Sequence, residues 1–245
     1  MRAMILAAGL GTRLRPLSND RPKALVEVAG RTLLEVTLRR LASSGIREVI
    51  VNAHHFADLI IEYLRKNDNF GMQIEVSRED VLLDTGGGLK KAAGFFEDDA
   101  ESFILHNVDV ISSIDLREML EFHSDSHALA TLAMQDRDTA RYLLFDEHDR
   151  LCGRRKGREG VWEMARPAEE VKALAFCGIH VIAPGMLPLM QEQGVFSIID
   201  SYLRLTAAGE NIAAFRADQY YWRDLGKPEN VVQAERDVER GIIRL

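Results

Sequence analysis

The chain reads Leu6-Ala7-Ala8-Gly9-Leu10-Gly11-Thr12-Arg13-Leu14-Arg15-Pro16 near its start and continues with Arg21-Pro22-Lys23-Ala24-Leu25. The apolar run Met4-Ile5-Leu6-Ala7 leads directly into this glycine-rich loop, which predicts a buried strand that delivers backbone N–H groups to one end of a sheet. Arg13 adds a planar guanidinium and Lys23 a point charge, so the two cations suit different phosphate groups of one ligand. The stretch therefore predicts an α/β fold with a phosphate site where its first strand ends.

Two other phosphate-binding loops fit this stretch poorly. A dinucleotide-binding loop has the pattern Gly-x-Gly-x-x-Gly and opens a helix, whereas Leu14 holds the third glycine position here and Pro16 stops a helix just beyond it. A P-loop needs Gly-Lys followed by Ser or Thr, and the chain has no such tripeptide. Both alternatives are therefore disfavoured by the sequence.

The run from Leu6 to Leu25 resembles the signature of the sugar-phosphate nucleotidyltransferases, also called nucleotide-sugar pyrophosphorylases. A tight turn with solvated arginines is the simpler alternative, because isolated Gly-x-Gly matches are common, but it does not account for so long a run. The resemblance implies that Arg13 stabilises the departing pyrophosphate and that Lys23 lies beside the α-phosphate and the incoming sugar phosphate. The implied nucleotide-binding residues of the loop are Ala8, Gly9, Gly11, Thr12 and Arg13.

Length and composition agree with one nucleotidyltransferase domain over residues 1–245, of which 47% are hydrophobic. No apolar run approaches the roughly 18 to 20 residues that span a bilayer, and the first residues do not resemble a secretory signal. Cys152 and Cys177 lack metal-ligand spacing, which fits a reducing compartment, so we expect a cytoplasmic protein without a membrane partner. The net charge of −7 disfavours a nucleic-acid partner. The sequence leaves the oligomeric state open.

Strands alternate with helices along the chain, without a linker or a repeat. Thr32 and Glu35 form a capping box that starts the first helix, and Gly45 ends it. Apolar periodicity predicts further strands at 48–51, 73–77, 103–105 and 128–134, and further helices at 56–64 and from Pro228 to Gly241. This rhythm predicts a three-layer α/β/α fold with a mostly parallel, doubly wound sheet, and the resemblance implies the Rossmann-like version of it.

Two aspartates follow predicted strands, at the edge of the sheet where ligands collect. Asp109 lies in His106-Asn107-Val108-Asp109-Val110, and Asp224 lies in Trp222-Arg223-Asp224-Leu225-Gly226. The simpler alternative for each is a turn or helix N-cap aspartate. Their contexts resemble those of the family's metal ligands, which implies a Mg²⁺ cofactor held by both carboxylates, by substrate phosphates and by water. Arg13, Lys23, Asp109 and Asp224 are then the expected catalytic residues.

A second glycine-rich segment runs from Ser77 to Gly88 and resembles the family's turn beside the base and ribose. Glycines permit close backbone approach, and a helix N-terminus offers free N–H donors, so Gly86 and Gly87 are expected to contact the nucleotide. Glu79, at the end of the preceding strand, is the candidate for reading the edge of the base. An ordinary polar loop that starts a helix is the alternative.

Two residues are expected on the sugar side of the site, where Lys23 also meets the sugar phosphate. The run Phe176-Cys177-Gly178-Ile179-His180-Val181 resembles the family strand whose glycine lets the backbone approach the hexose, which indicates Gly178. A glycine needed only for strand packing or a bulge is the alternative there. Asn107 suits hydroxyl groups of the sugar or the ribose.

The chain departs from the family pattern in three places. Val108 stands where the family usually has glycine before the aspartate, and its Cβ is expected to crowd a ligand that relies on close backbone approach. The Glu-Lys-Pro sugar motif of many family members is missing. The basic segment from Arg150 to Arg158 is expected to be a solvated hairpin or loop, with guidance of anionic substrates as the alternative.

The expected reaction transfers a nucleotidyl group from a nucleoside triphosphate to a sugar 1-phosphate and releases pyrophosphate. The Thr85-Gly86-Gly87-Gly88 version of the second turn looks most like the uridylyltransferases for N-acetylmuramate 1-phosphate, which favours UTP. It also resembles the guanylyltransferases for mannose and manno-heptose 1-phosphate. A non-catalytic module that binds nucleotide sugars is the alternative class, but the expected catalytic residues are all present, which favours an enzyme.

Overall fold

A computed structural model describes residues 1–97, 101–156 and 159–245 of the chain. The strands within these ranges are β1 (Arg2–Leu6), β2 (Glu27–Val28), β3 (Arg31–Thr32), β4 (Glu48–Ala53), β5 (Gln73–Arg78), β6 (Phe103–Asn107), β7 (Val110–Ser112), β8 (Ala130–Gln135), β9 (Arg141–Phe145), β10 (Leu151–Lys156), β11 (Trp162–Met164), β12 (Lys172–Ile182), β13 (Ile212–Arg216) and β14 (Trp222–Asp224). The α-helices are α1 (Leu33–Ser43), α2 (Ala57–Lys66), α3 (Asp84–Lys91), α4 (Leu116–Asp125), α5 (Ile198–Ala207) and α6 (Pro228–Glu239).

The main sheet has the strand order β11-β10-β9-β12-β6-β1-β4-β5, with β8 paired to β12 and β13 paired to β8. Strands β6, β1, β4 and β5 are parallel, which confirms the prediction for the half of the sheet that carries the first loop. Strand β12 runs antiparallel to β6, β8 and β9, and β9, β10 and β11 are also antiparallel to one another. Short connections between β9, β10 and β11 require this direction, because parallel neighbours need a long crossover.

Helices cover both faces of the sheet and produce the predicted three layers. Successive residues of β1 point to opposite faces, so Ala3 and Ile5 pack with helices α1, α2, α4 and α6. Met4 and Leu6 pack on the other face with helices α3 and α5. The structure confirms the predicted buried strand, and it shows that β1 is buried on both faces of the sheet.

The ends of helix α1 form as the sequence predicted. The Thr32 hydroxyl accepts the Glu35 N–H at 3.1 Å, which is the first half of a capping box. Gly45 follows the helix with a φ of +93°, and the Ile46 N–H donates to the Leu41 carbonyl at 3.1 Å. Local capping chemistry thus sets where this helix starts and stops.

A small second sheet joins two distant parts of the chain at the carboxyl edge of the parallel strands. Strand β7 pairs with β14 antiparallel, with Ser112 opposite Trp222 and Val110 opposite Asp224. The sequence did not predict that these two strands pair, because three residues are too few to show a hydrophobic period. This pairing decides the geometry of the site.

The basic segment that starts at Arg150 lies mostly in strand β10, within the antiparallel arm made by β9, β10 and β11. The Arg154 guanidinium is paired with the carboxylates of Glu163 and Asp200, both at 2.7 Å. Gly157 and Arg158 lie outside the described residues. None of the helices in the described ranges is long and apolar enough to cross a membrane.

Candidate active site

The loop after β1 carries backbone donors that the protein leaves unused. Within residues 1–97, 101–156 and 159–245, no protein acceptor meets the N–H groups of Gly9, Leu10, Gly11 or Thr12. All four residues are exposed or half-buried. Because a run of such donors makes a concave site for anions, the loop has the backbone chemistry to bind phosphates.

Glycine is required at the centre of this loop for both conformation and space. Gly11 has a φ of +65°, and its carbonyl accepts the Ser18 hydroxyl at 2.7 Å. A Cβ at Gly11 would lie 3.2 Å from the Cβ of Lys23 and 3.3 Å from that of Ser18. The loop therefore folds tightly back onto the segment that carries Lys23.

Asn52 supports the start of the loop, and the sequence analysis missed it. The residue is paired with Leu6 across the β1–β4 ladder and is 2% exposed. Its Oδ1 accepts the N–H groups of Ala7 at 2.7 Å and Ala8 at 3.3 Å. The available signal was a polar residue that ends the apolar run Val49-Ile50-Val51 at the ligand edge of the sheet.

Glu79 is bonded to the protein through both carboxylate oxygens and is 4% exposed. Oε1 accepts the Asn52 side-chain N–H at 2.7 Å, and Oε2 accepts the Leu83 N–H at 2.9 Å. A Cβ at Gly88 would lie 2.8 Å from both Asn52 Nδ2 and Glu79 Oε1, so glycine is needed beside this pair. Base recognition by Glu79 stays a prediction, and these bonds show that the side chain already ties β4 to the turn before α3.

The predicted nucleotide contacts Gly86 and Gly87 pack against another part of the chain. Both N–H groups donate to the Phe196 carbonyl, at 3.0 Å and 3.3 Å. A Cβ at Gly86 would lie 2.3 Å from the Phe196 ring, and one at Gly87 would lie 2.4 Å from the Gly194 carbonyl oxygen. The close backbone approach expected at these glycines is therefore made by the segment ahead of α5. Nucleotide contact at Gly86 and Gly87 stays a prediction.

Lys23 and Asp109 form an ion pair at the ligand edge of the sheet. Lys23 Nζ lies 2.8 Å from Asp109 Oδ2, and the side chains are 14% and 9% exposed. A Cβ on Gly9 would lie 3.5 Å from the same Nζ, so the ammonium group is next to the glycine-rich loop. One predicted catalytic cation is thus held between the loop and one predicted metal ligand.

The pairing of β7 with β14 brings Asp224 next to Asp109. Asp224 lies opposite Val110 in the ladder, and the Leu225 N–H donates to the Asp109 carbonyl at 2.7 Å. The two aspartates, which are far apart in sequence, consequently lie on neighbouring backbones at one edge of the fold.

Arg13 reaches the same place from the glycine-rich loop. An ideal Cβ on Gly226 would lie 3.0 Å from Arg13 Nη2 and 2.7 Å from Asp224 Oδ1, so both groups border that glycine. The Gly226 N–H also donates to Asp224 Oδ1 at 2.7 Å. Arg13 itself is exposed, which leaves its guanidinium accessible to a ligand.

The two aspartates offer hard oxygen donors, which suit a divalent cation such as Mg²⁺. Across the described part of the chain, no group of three or more His, Cys, Asp or Glu residues is arranged to hold a metal ion. Two carboxylates alone leave most of an octahedral shell to other ligands. The residues present therefore fit a cation that is shared with substrate phosphates and water.

Val108 does not crowd the site, and that expectation is wrong. Its side chain is 1% exposed and packs in the core under α1, α4 and α6. The Val108 N–H donates to the Leu6 carbonyl at 3.2 Å, which continues the β1–β6 pairing beyond β6. Because the backbone direction is fixed in this way, the valine Cβ points into the protein while Asp109 lies next to Lys23.

Asn107 and Gly178, the two predicted sugar contacts, are neighbours. Gly178 has a φ of +75° at a bulge where the register of β12 against β8 shifts. A Cβ at this position would lie 2.9 Å from Asn107 Nδ2 and 2.9 Å from Val110 Cγ2. The glycine is thus required by the protein's own packing, and its contact with a sugar stays a prediction.

An arginine and a tryptophan that the sequence analysis did not single out pack next to this glycine. The Trp222 indole N–H donates to the Cys177 carbonyl at 2.7 Å. The Arg137 guanidinium carbon lies 3.6 Å from the centre of the Trp222 ring. Both side chains are therefore held against the bulge that contains Gly178.

Two buried histidines near the site, His106 and His180, are not suited to acid–base chemistry. Burial, with the nearby charge of Arg40, lowers the pKa of His106 to about 3. Burial also lowers the pKa of His180 to about 3, with a smaller contribution from His106. Both rings are neutral at physiological pH and belong to the interior of the sheet, which agrees with a reaction that needs no general base.

Comparison with known proteins shows the family of this chain. The family model for nucleotidyl transferases matches residues 2–241. The N-acetylmuramate alpha-1-phosphate uridylyltransferase of Caulobacter vibrioides is 33% identical over 242 residues, which cover 95% of each chain. The mannose-1-phosphate guanylyltransferase of Mycobacterium tuberculosis is 30% identical over 244 residues, and the present chain spans 65% of its length.

Solved structures agree with the fold. HddC from Yersinia pseudotuberculosis complexed with GMP-PN has a TM-score of 0.76 and 25% identity, covering 97% of this chain and 99% of that one. UDP-glucose pyrophosphorylase from Acinetobacter baumanii has a TM-score of 0.77 and 18% identity over 98% of both chains, which supports the fold alone. Because the family model spans nearly the whole chain and the predicted catalytic residues converge at one edge of the sheet, the chain belongs to the nucleotidyl transferase family and is a sugar-1-phosphate nucleotidyltransferase.

Proposed function

We propose that this enzyme transfers the uridylyl group of UTP to a sugar 1-phosphate of the N-acetylmuramate type, with Mg²⁺ as its cofactor. The observation that carries the proposal is the convergence of the cations Arg13 and Lys23 with Asp109 and Asp224. The choice of base and sugar is supported by the Caulobacter vibrioides relative, since that similarity covers 95% of both chains.

A guanylyltransferase that acts on mannose or manno-heptose 1-phosphate is the second candidate. It is supported by the Mycobacterium tuberculosis relative at 30% identity and by the likeness to HddC complexed with GMP-PN. The two candidates differ in base and sugar but share the same phosphate chemistry. A substrate panel separates them directly.

The nucleotide is proposed to lie over the glycine-rich loop and to contact it from Ala8 onwards. The unused N–H groups of Gly9, Gly11 and Thr12 would donate to its phosphates. Arg13 would bind the β- and γ-phosphates, which carry growing negative charge as pyrophosphate departs. The turn with Glu79, Gly86 and Gly87 would lie towards the base and ribose.

The acceptor is proposed to enter on the side of Asn107 and Gly178, and Lys23 would stand between its phosphate and the α-phosphate of the nucleotide. An anionic oxygen of the sugar phosphate forms a bond to the α-phosphorus. The bond from that phosphorus to the oxygen bridging to the β-phosphate breaks, and pyrophosphate leaves. The acceptor oxygen carries no proton, so position and charge neutralisation supply the catalysis.

Asp109 and Asp224 are the residues that would hold Mg²⁺. Bound there, the cation would neutralise the phosphate charges that the reaction brings together. Lys23 pairs with Asp109 and would keep that carboxylate oriented towards the ligand edge. Gly226 fixes Asp224 in the same way through its N–H.

Residues 1–245 are proposed to form one nucleotidyltransferase domain that works in the cytoplasm on small molecules, without a nucleic-acid or membrane partner. A reducing compartment is supported by Cys152 and Cys177, which are both free and buried. Burial raises the pKa of Cys152 to about 11 and that of Cys177 to about 12, so neither thiol is primed for reaction.

The test is a pyrophosphate-release assay with five nucleoside triphosphates against a panel of sugar 1-phosphates, with Mg²⁺ or with EDTA. We expect the highest kcat/KM for UTP with N-acetylmuramate 1-phosphate and no turnover in EDTA. Highest activity for GTP with mannose or manno-heptose 1-phosphate would establish the second candidate instead. Absence of pyrophosphate from every pair, with nucleotide sugars still bound, would overturn both.

The metal site is tested by Asp109→Asn and Asp224→Asn. Each is expected to lower kcat by about 10²-fold or more, because a ligand that acts on transition-state charge is lost. Asp125→Asn, at the exposed end of α4, is the matched control and should leave kcat unchanged. Near-normal turnover in either site variant would remove that aspartate from the proposed metal site.

A further inference from the structure

The proposed function gives the acceptor's phosphate one cation, Lys23, which it shares with the α-phosphate of the nucleotide. A sugar 1-phosphate is an anion, yet Lys23 is already paired with Asp109 and Arg13 lies beside Asp224 and Gly226. Asn107 and Gly178 offer only neutral groups. A further cation on this side would balance the incoming charge, and Arg137 occupies a suitable position.

Arg137 lies between β8 and β9, against the bulge of β12. Its Nη2 donates to the Phe176 carbonyl at 2.7 Å, two residues before Gly178. Its guanidinium stacks on Trp222 at 3.6 Å, and the Trp222 ring is anchored to the Cys177 carbonyl. Consecutive carbonyls of β12 thus hold the arginine and the ring on which it lies.

The strand geometry puts this guanidinium on the same side as Asp224. Trp222 and Asp224 are two residues apart in strand β14, so their side chains point to the same face. Arg137 covers Trp222 on that face. Burial lowers the pKa of Arg137, and the Cys177 side chain and the Asp224 carboxylate oppose that change. Arginine stays charged in proteins.

The guanidinium is only partly used by the protein. Among the described residues, its hydrogen-bond partners are neutral, namely the Phe176 carbonyl and the Cys177 side chain, and Nε is buried without a partner. Arg154, by contrast, is paired with the carboxylates of Glu163 and Asp200. An arginine fixed by stacking, with donors to spare and no acidic partner in contact, is arranged to receive an anion.

We propose that Arg137 is an acceptor-binding residue, which holds an oxyanion of the sugar 1-phosphate against the face of β14 that carries Trp222 and Asp224. Trp222 fixes the plane of the guanidinium, and the Phe176 carbonyl fixes its position along β12. The oxyanion is either the 1-phosphate itself or a carboxylate on the sugar, such as the lactyl group of N-acetylmuramate. This inference rests on the proposed function and extends it by one residue.

Arg137→Gln and Arg137→Lys test the inference by steady-state kinetics. Arg137→Gln is expected to raise KM for the sugar 1-phosphate by about 10-fold to 100-fold, with KM for the nucleotide changed by less than about 3-fold. Arg137→Lys keeps the charge without the planar stack and is expected to recover part of the loss. If Arg137→Gln does not fold, the lysine variant carries the same comparison.

N-acetylmuramate 1-phosphate and N-acetylglucosamine 1-phosphate separate the two oxyanions, because they differ by the lactyl carboxylate. The affinity of the enzyme for each sugar phosphate is measured as its KM or, for a poor substrate, as its inhibition constant. A loss of affinity for both assigns the contact to the phosphate. A loss confined to N-acetylmuramate 1-phosphate assigns it to the carboxylate.

Arg2→Gln is the matched control. Arg2 stacks on Phe95 at 5.3 Å and donates to the Phe95 carbonyl at 2.6 Å, but it starts β1 at the opposite edge of the sheet. Both KM values should stay unchanged in this variant. An unchanged acceptor KM in Arg137→Gln, or equal changes in both KM values, overturns the inference while the proposed function stands. If the wild-type enzyme turns over no combination of nucleoside triphosphate and sugar 1-phosphate, the proposed function is overturned and this inference with it.

Discussion

Lys23 Nζ lies 2.8 Å from Asp109 Oδ2, with side chains that are 14% and 9% exposed. The pair links the segment that follows the glycine-rich loop to the turn between β6 and β7. Removal of one partner leaves a largely buried charge without compensation, whereas removal of both does not. The effect of the ion pair on the free energy of unfolding can therefore be measured separately from any role in catalysis.

We expect Lys23→Met to lower the free energy of unfolding by about 2 to 4 kcal/mol, because Asp109 loses its cation in a largely buried place. The double variant Lys23→Met/Asp109→Asn should recover part of that loss. Urea unfolding of the wild type, the two single variants and the double variant gives the coupling energy. Strict additivity across the four proteins would show that the pair is not coupled.

Arg13→Ala should lower kcat far more than it weakens binding of the product nucleotide sugar. Losing one charge-assisted contact to the departing pyrophosphate costs about 3 to 4 kcal/mol at the transition state, or roughly 10² to 10³ in rate. Product affinity should change little, because the product lacks the β- and γ-phosphates of the triphosphate. Steady-state kinetics and calorimetry measure the two effects, and a matching loss in both would place Arg13 on the retained nucleotide.

Gly226→Ala should impair turnover without unfolding the protein. Its Cβ would lie 2.7 Å from Asp224 Oδ1 and 3.0 Å from Arg13 Nη2, so both groups would have to shift. A displacement of this kind in an active site lowers kcat by about 10²-fold. Gly185→Ala, where nothing lies within 4 Å of the added atom, is the control. Wild-type kcat in Gly226→Ala would mean that neither group needs its present position.

Asn52→Leu should destabilise the start of the glycine-rich loop. The Ala7 N–H and the Glu79 carboxylate would each lose a buried partner, which lowers the free energy of unfolding by about 2 to 4 kcal/mol. KM for the nucleotide should rise as well, since Ala7 precedes the phosphate loop. Asn67→Leu removes one exposed hydrogen bond, to Tyr63, and should cost under about 1 kcal/mol. Equal effects of the two substitutions in urea unfolding would contradict a supporting role for Asn52.

Stability should fall as the pH drops below 6.5. The pKa of His106 and that of His180 are about 3 in the folded protein and 6.5 in an unperturbed histidine, so the unfolded chain binds protons first. At pH 5 each such histidine costs about 2 kcal/mol relative to neutral pH. His180→Gln should flatten the slope of unfolding free energy against pH, and His148→Gln, an exposed residue, should not. An unchanged slope in His180→Gln would show that this histidine does not drive the loss.

Local chemistry in the sequence was sufficient for much of the fold. The apolar run at Met4 predicted a buried strand, and Thr32 with Glu35 and Gly45 predicted both ends of α1. These features depend on residues close together in sequence, so a single chain displays them. The family resemblance was likewise visible in the glycine-rich loop, because the groups expected to bind phosphate are close together in sequence.

The tertiary structure decided how the site is assembled. Asp109 meets Asp224 only because β7 pairs with β14, and pairs between distant three-residue strands leave no local period to read. The direction of the Val108 side chain follows from the hydrogen bond to Leu6, and the role of Asn52 follows from its register beside β1. The stack of Arg137 on Trp222 has the same origin. The sequence determined which groups are present, and long-range pairing determined which of them come within bonding distance.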